Sequence, residues 1–388
     1  MRRWLIGIGA VLAFLGAGAL MAAPAVVEGR LNNVEAHAPY KIGARAKALH
    51  ARLNMADLHA DTLLWGRDVL SRGTRGHVDV PRLVEGRFAL QVFSTVTKTP
   101  EGQNYDKNTG DTDMITVLAK VSLWPTRTWD SLLERALYQA ERLNAAAKRD
   151  PKALVVVRTR RDLESLLARR AKGESVVGGL LATEGAHPLE GKIENLQKLY
   201  DAGFRMVGLH HFFDNELGGS LHGVSKGGLS PFGIEAVRAI EGRGMIVDVA
   251  HSSEKVVEDV LAHATRPIVV SHTGVRGACK SARNLSDKHM RAIAAKGGLI
   301  GIGYWPGAVC DSTPKGVAKS LRYAADLVGV DRVALGSDFD GSTTVRFDAS
   351  ESAALVQAMV DAGFSDEEIG KITGGNVLAL LAALLPAS

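Results

Sequence analysis

The chain has 388 residues, 46% hydrophobic and 23% charged, enough for one large barrel or two ordinary domains. Its net charge of +5 is spread without a basic block, which excludes the electrostatic footprint of a nucleic-acid-binding protein. Two cysteines, Cys279 and Cys310, are too few to be the framework of the fold, and sequence leaves open whether they pair.

Met1-Arg2-Arg3 is a basic start, Trp4 to Met21 is apolar and uncharged, and Ala23-x-Ala25 fits a small-residue cleavage pattern. Residues 1–25 read as a secretory signal peptide, the alternative being an uncleaved membrane anchor. Either reading puts the catalytic part outside the cytoplasm, periplasmic or secreted.

From about residue 50, short apolar strands alternate with amphipathic helical stretches. The expected strands are Met55–Asp61, Phe88–Thr95, Val177–Gly185, Arg205–His211, Met245–His251, Pro267–Thr273, Leu299–Trp305 and Arg332–Phe339. Helical patterns include Ile193–Ala202, Gly233–Arg243 and Asp287–Lys296. This alternation predicts an α/β fold, a (β/α)8 TIM-like barrel, with residues 26–388 as a single catalytic domain. A doubly wound sheet would want a glycine-rich turn after the first strand, where this chain has His-Ala-Asp-Thr. Residues 96–176 form a long insertion. Within it Lys98–Asp113 reads as a polar lid-like loop, and Ser131–Lys148 as a helix with Leu132, Leu133, Leu137 and Leu143 on a repeating face.

Chemistry gathers at the strand ends, where such barrels keep their active sites. The first strand ends in His59 and Asp61, the third in Glu184, the fifth in His251, the sixth in His272 and the eighth in Asp338; the fourth adds His210-His211. A lone strand-end histidine is ordinarily a hydrogen-bonded structural residue. So many polar residues at equivalent ends, each needing a partner or water, are harder to explain that way. His59 and Asp61 can hold one metal, His251 and His272 another, and Glu184 can bridge both. A pair of zinc ions roughly 3.5–4 Å apart would suit the hydrolysis of an amide or ester.

Taken together, Asp57-Leu-His-Ala-Asp61, Glu184-Gly, Gly203-Phe-Arg-Met-Val-Gly-Leu-His-His211, Asp248-Val-Ala-His251, Ser271-His272 running to Ala282-Arg283-Asn284, and Gly336-Ser-Asp338-Phe-Asp-Gly341 resemble the membrane (renal) dipeptidases, the zinc-dependent peptidase family M19. The resemblance covers about residues 50–380. It implies one zinc on His59, Asp61 and Glu184 and a second on Glu184, His251 and His272. It also implies that His211, rather than His210, contacts the substrate near the scissile carbonyl. Arg283 would grip the free carboxylate of a dipeptide, and Asp338 would act as the acid/base. Dipeptidases of this type commonly accept a D-residue at the second position. Two departures, Phe212-Phe213 after the histidine pair and Trp305 in place of an aromatic hydroxyl, bear on side-chain preference. Another metal-dependent reaction on the same barrel, such as lactone or β-lactam opening, is the alternative; a non-catalytic binding homologue would be expected to lose metal ligands, and none is missing. The preferred side chains and homodimerisation stay open.

Overall fold

The computed structural model describes residues 22–387. The signal-peptide reading of residues 1–25 lies outside that range except for its last four residues, which begin a helical stretch over 22–31. Among the described residues no helix is long and apolar enough to cross a membrane.

Nine parallel strands make one sheet: β1 (Met55–Ala60), β2 (Phe88–Val96), β3 (Leu154–Val156), β4 (Val177–Glu184), β5 (Phe204–Gly208), β6 (Ile246–Asp248), β7 (Val269–Thr273), β8 (Leu299–Ile302) and β9 (Val333–Leu335). Beyond its pairing with β1, β2 runs beside β4 from Leu90↔Gly178 to Val96↔Glu184, and this contact closes the sheet. The closed ring of β1, β2 and β4–β9, with helices outside it, is the expected (β/α)8 barrel. β3 has no counterpart among the expected strands. It pairs with the foot of β4 at Val177–Gly179, below the point where β5 takes up pairing with β4 at Leu181. Three residues are too short to display a strand period.

Local chemistry sets the helix limits. Ser230 Oγ accepts from Gly233 N at 3.0 Å and Pro231 occupies the first helical position, so the helix Pro231–Gly242 starts two residues before the expected Gly233. Ser286 caps Asp287–Ala295 in the same way.

The two faces of β1 divide the work. Ala56 and Leu58 face outward and join Leu90, Val92 and Leu180 against Leu166 of the helix Arg160–Ala171 and Leu381 of the helix Asn376–Leu384. A fully buried leucine side chain stabilises by roughly 1.5–3 kcal/mol, so this sheet-to-helix layer carries much of the barrel's stability. Asp57 and His59 alternate with those residues and point inward. Buried Asp57 accepts from Gln91 Nε2, Ser337 N and Ser337 Oγ, each at 2.7 Å. These bonds offset the cost of burying the carboxylate. They also tie β1, β2 and the end of β9 together directly beneath the barrel mouth.

The insertion between β2 and β4 holds helices Met114–Val121 and Leu132–Arg149, then β3 and Arg160–Ala171. The helix Leu132–Arg149 buries Leu133, Ala136, Ala140 and Leu143, while Leu132 and Leu137 are only half-buried. Its face is rotated from the leucine repeat because Arg135 and Gln139 turn inward. Arg135 donates to Thr128 O, Thr97 O and Trp129 O at 2.7 Å, and to Asp113 Oδ2 and Thr116 Oγ1 at 2.6 Å. A fully buried guanidinium with every donor used thus pins the loop 97–113 over the mouth.

Candidate metal centre and active site

The barrel mouth gathers His59, Asp61, Glu184, His211, His251, His272, Arg283 and Asp338, all buried. Glu184 Oε1 is the hub. It lies 3.6 Å from His59 Nε2, 3.4 Å from His211 Nε2, 3.2 Å from His251 Nε2 and 3.5 Å from His272 Nε2. His59 Nε2 is 3.5 Å from Asp61 Oδ1 and 3.9 Å from Asp338 Oδ1. His251 Nε2 and His272 Nε2 face each other at 2.8 Å.

These spacings suit a metal. Ligands bound to zinc at about 2.0–2.1 Å in a tetrahedron stand about 3.3 Å apart. His59 Nε2 and Asp61 Oδ1 are buried without a hydrogen-bond partner, which is costly unless something else satisfies them. The geometry yields three overlapping groups that could hold an ion: His59, Glu184 and His272; Glu184, His211 and His251; and His59, Asp61 and Asp338. The five expected ligands are all brought together. His211 and Asp338 stand close enough that distance alone does not separate them from ligands.

Electrostatics agree. Burial alone would lower the His59 pKa, but the Asp61 and Glu184 carboxylates raise it to about 10. Burial pushes Glu184 well above the usual carboxylate range, with Asp61 adding to the effect. Burial also takes Asp338 up to about 8, His59 opposing and Asp61 assisting. Crowded carboxylates beside one imidazolium mark a place that favours added positive charge. His211, His251 and His272 are held well below the ordinary imidazole value, first by burial and then by neighbouring cationic groups. They are therefore neutral, the form in which an imidazole binds a metal.

Ser271 orients two of the imidazoles. Its Oγ lies 2.9 Å from His272 Nδ1 and 3.3 Å from His59 Nδ1, which turns both Nε2 atoms toward Glu184. Ser271 N donates to Asp248 Oδ1 at 2.9 Å. His251 and Asp338 lie beyond the ends of β6 and β9, not within them. Both have positive φ, 60° and 61°, a conformation that L-residues seldom adopt. The strained turns swing these side chains into the mouth. Gly341 completes the rim, since a Cβ there would come within 2.2 Å of Asp338 Oδ1.

His210 and His211 lie beyond the end of β5, in the loop that follows it, and there they point apart. His210 Nδ1 meets Ser252 Oγ at 3.0 Å, while His211 joins the cluster. Arg283 donates from Nη2 to His272 O at 2.9 Å, lies 3.2 Å from His251 Nε2, and stands 5.5 Å from the Trp305 ring. Its loop is held by Asn284, which donates to Cys279 O and Ala308 O, and by a Cys279–Cys310 disulfide. Tyr105, from the insertion, also lines the cavity beside Trp305. Sequence reasoning missed Tyr105, Ser271 and the anchoring role of Asp57. Asp57 and Ser271 stood inside quoted motifs, whereas nothing local marks Tyr105.

The sequence model of the membrane dipeptidase family, peptidase family M19, matches residues 43–384. The chain is 30% identical over 316 residues to the dipeptidase tcpJ of Claviceps purpurea, covering 79% of this chain and 69% of that protein. Its fold is similar to the probable dipeptidase PvdM from Pseudomonas aeruginosa, with TM-score 0.72 at 21% identity, covering 89% of this chain and 98% of that one. It is also similar to a Rhodobacter sphaeroides metallopeptidase solved with a phosphinate mimic of the dipeptide L-Ala-D-Ala. There the TM-score is 0.71 at 22% identity, covering 86% and 99% of the two chains. With the family model spanning the barrel and its mouth, the chain belongs to the membrane dipeptidase family, peptidase family M19, and is a metallo-dipeptidase.

Proposed function

We propose that the protein is an exported binuclear zinc dipeptidase that cleaves dipeptides with a free C-terminal carboxylate and tolerates a D-residue at the second position. The observation that carries this reading is the convergence of four imidazole Nε2 atoms on Glu184 Oε1 within 3.2–3.6 Å. His59, Asp61 and Glu184 would hold one zinc, Glu184, His251 and His272 the other, with Glu184 as the bridge. Bound there, the ions would supply Lewis acidity and lower the pKa of a water.

The chain's own groups supply the rest. Arg283, buried and beside the aromatic face of Trp305, holds the substrate carboxylate by a charge-assisted fork. His211, neutral, donates from Nε2 to the carbonyl oxygen as that atom gains negative charge. Asp338 takes the proton of the attacking water on Oδ1 and passes it to the departing amine nitrogen. Tolerance of a D-residue fits a second residue held mainly by its carboxylate. The dipeptide mimic carried by the Rhodobacter sphaeroides relative has the same stereochemistry.

Export is supported by the basic and apolar N-terminal sequence and by the disulfide, which forms in oxidising compartments. Residues 26–388 would be the mature catalytic unit.

The test is a library of L,L and L,D dipeptides with acetylated and amidated controls, run with and without chelator. Free-carboxylate dipeptides, including at least one L,D member, should be hydrolysed in a chelator-sensitive way. Equal rates on dipeptides and their amides would remove Arg283 from its role, and strict L,L activity would remove the stereochemical part.

A further inference from the structure

We infer that this chain carries an apolar subsite for a large side chain on the amino side of the scissile bond, and that residues 26–31 form part of its wall. The inference rests on the dipeptidase reading for the orientation of the substrate.

The cavity above the metal centre measures about 720 Å³, within the roughly 300–1,000 Å³ of small-molecule sites. Its floor holds Asp61, Glu184, His251, Arg283 and Asp338. No other Asp, Glu, Lys or Arg lines it among the described residues. Arg283 sits over the ends of β6 and β7, through His251 and His272. Across the ring, following the strand order, lie β1 and β2. There the wall is built from Leu64, Leu118, Met114, Val117, Val27 and Leu31. A dipeptide with its carboxylate on Arg283 and its carbonyl over Glu184 therefore directs its amino-side residue into this apolar wall.

The exposure of that wall is the second observation. Val27 is 44% exposed, Leu31 42%, Met114 42% and Val117 50%, and all four line the cavity. Large apolar groups left open to water at the lip of a catalytic cavity gain most from an apolar group that covers them.

The wall is fixed rather than draped. Glu28, 1% exposed, is bound by both Arg67 and Arg75, and Arg67 also reaches Asp340 at 2.6 Å. Asn32 Oδ1 accepts from Ser342 N at 2.8 Å, and Glu35 N donates to Val345 O at 2.8 Å. The Glu28 carboxylate is thus occupied and offers nothing to a polar substrate group. Val27, Glu28 and Leu31 lie after Ala25, so the wall survives cleavage there. They also precede residue 43, where the family match begins, so they lie outside the stretch matched to the family.

The experiment uses the zinc-loaded full chain and two readouts. One is the affinity of unreactive phosphinate analogues of X-Ala with X as Gly, Ala, Val, Leu or Phe; the other is hydrolysis of the matching dipeptides. Affinity should rise by roughly 3–4-fold per buried methylene, so Leu should exceed Gly by more than about 30-fold. In Val27→Glu, and independently in Met114→Ser, the Leu-to-Gly ratio should fall about tenfold. A flat affinity series, or ratios unmoved in both variants, overturns the subsite. Hydrolysis decides the other question: a rising affinity series without hydrolysis upholds the subsite and sinks the dipeptidase reading, and hydrolysis with a flat series does the reverse.

Discussion

Trp305 Nε1 donates a 2.8 Å hydrogen bond to Tyr105 Oη, joining the loop after β8 to the insertion 200 residues earlier in the chain. Because the phenol oxygen accepts this bond, its own proton is free to point into the cavity that both residues line. The departure at Trp305 is therefore answered from elsewhere: an aromatic hydroxyl stands at the site, supplied by Tyr105. Tyr105→Phe removes the donor and leaves the indole unpaired. KM for a free-carboxylate dipeptide should rise about 3–10-fold, with metal content unchanged. A KM within experimental error of the parent would make Tyr105 a packing residue only.

The Cys279–Cys310 disulfide and Asn284 together fix the loop that carries Arg283. Closing a loop across 31 residues is worth roughly 3–4 kcal/mol in chain entropy. In the double Cys279→Ser, Cys310→Ser variant, stability should fall by about that amount. KM should rise more than kcat falls, because Arg283 acts in binding. A proportionate loss of kcat with KM unchanged would place the effect on the metals instead.

Asp338→Asn keeps shape but cannot accept the proton. Near-normal metal content and analogue affinity are expected, with kcat lower by about 10²–10⁴. Zinc stoichiometry, analogue binding and kcat on one preparation measure this. Loss of one zinc would recast Asp338 as a ligand, which its 3.9 Å approach to His59 would permit.

Burial, with His210 and Lys98 assisting, pushes the His187 pKa down to about 3. An unfolded imidazole titrates near 6.5. Above pH ~6.5 neither state is protonated and the group costs nothing. Between ~6.5 and 3 only the unfolded chain takes up the proton, so stability falls with falling pH, by about 1.4 kcal/mol per unit. His222, also taken to about 3, and His210, taken to about 4, act in the same direction. Urea unfolding of the parent and of His187→Leu at pH 7 and pH 5 should show a shallower pH dependence in the variant, by about one proton. An unchanged slope would mean that His187 titrates alike in both states.

The eight barrel strands were legible as short apolar runs alternating with helical patterns, and most of the side chains gathered at the mouth were legible as the polar endings of six of those runs. What stayed hidden depends on approach in space. β3 is too short to show a period, and Arg135 looks like any charge on an amphipathic helix until its five partners surround it. Nothing in the sequence near Glu28 says that Arg67 and Arg75 will close on it. Likewise, the motif Ser271-His272 displays the serine but not the second imidazole it orients, 212 residues away.

Metal stoichiometry in Glu184→Gln tests the account most directly, because four imidazoles approach Glu184 Oε1. Elemental analysis of the zinc-loaded parent should give two ions per chain. His59→Ala should retain about one, and Glu184→Gln should fall below one as both positions weaken together. Glu184→Gln with two zinc ions per chain would contradict the bridge and, with it, the proposed centre.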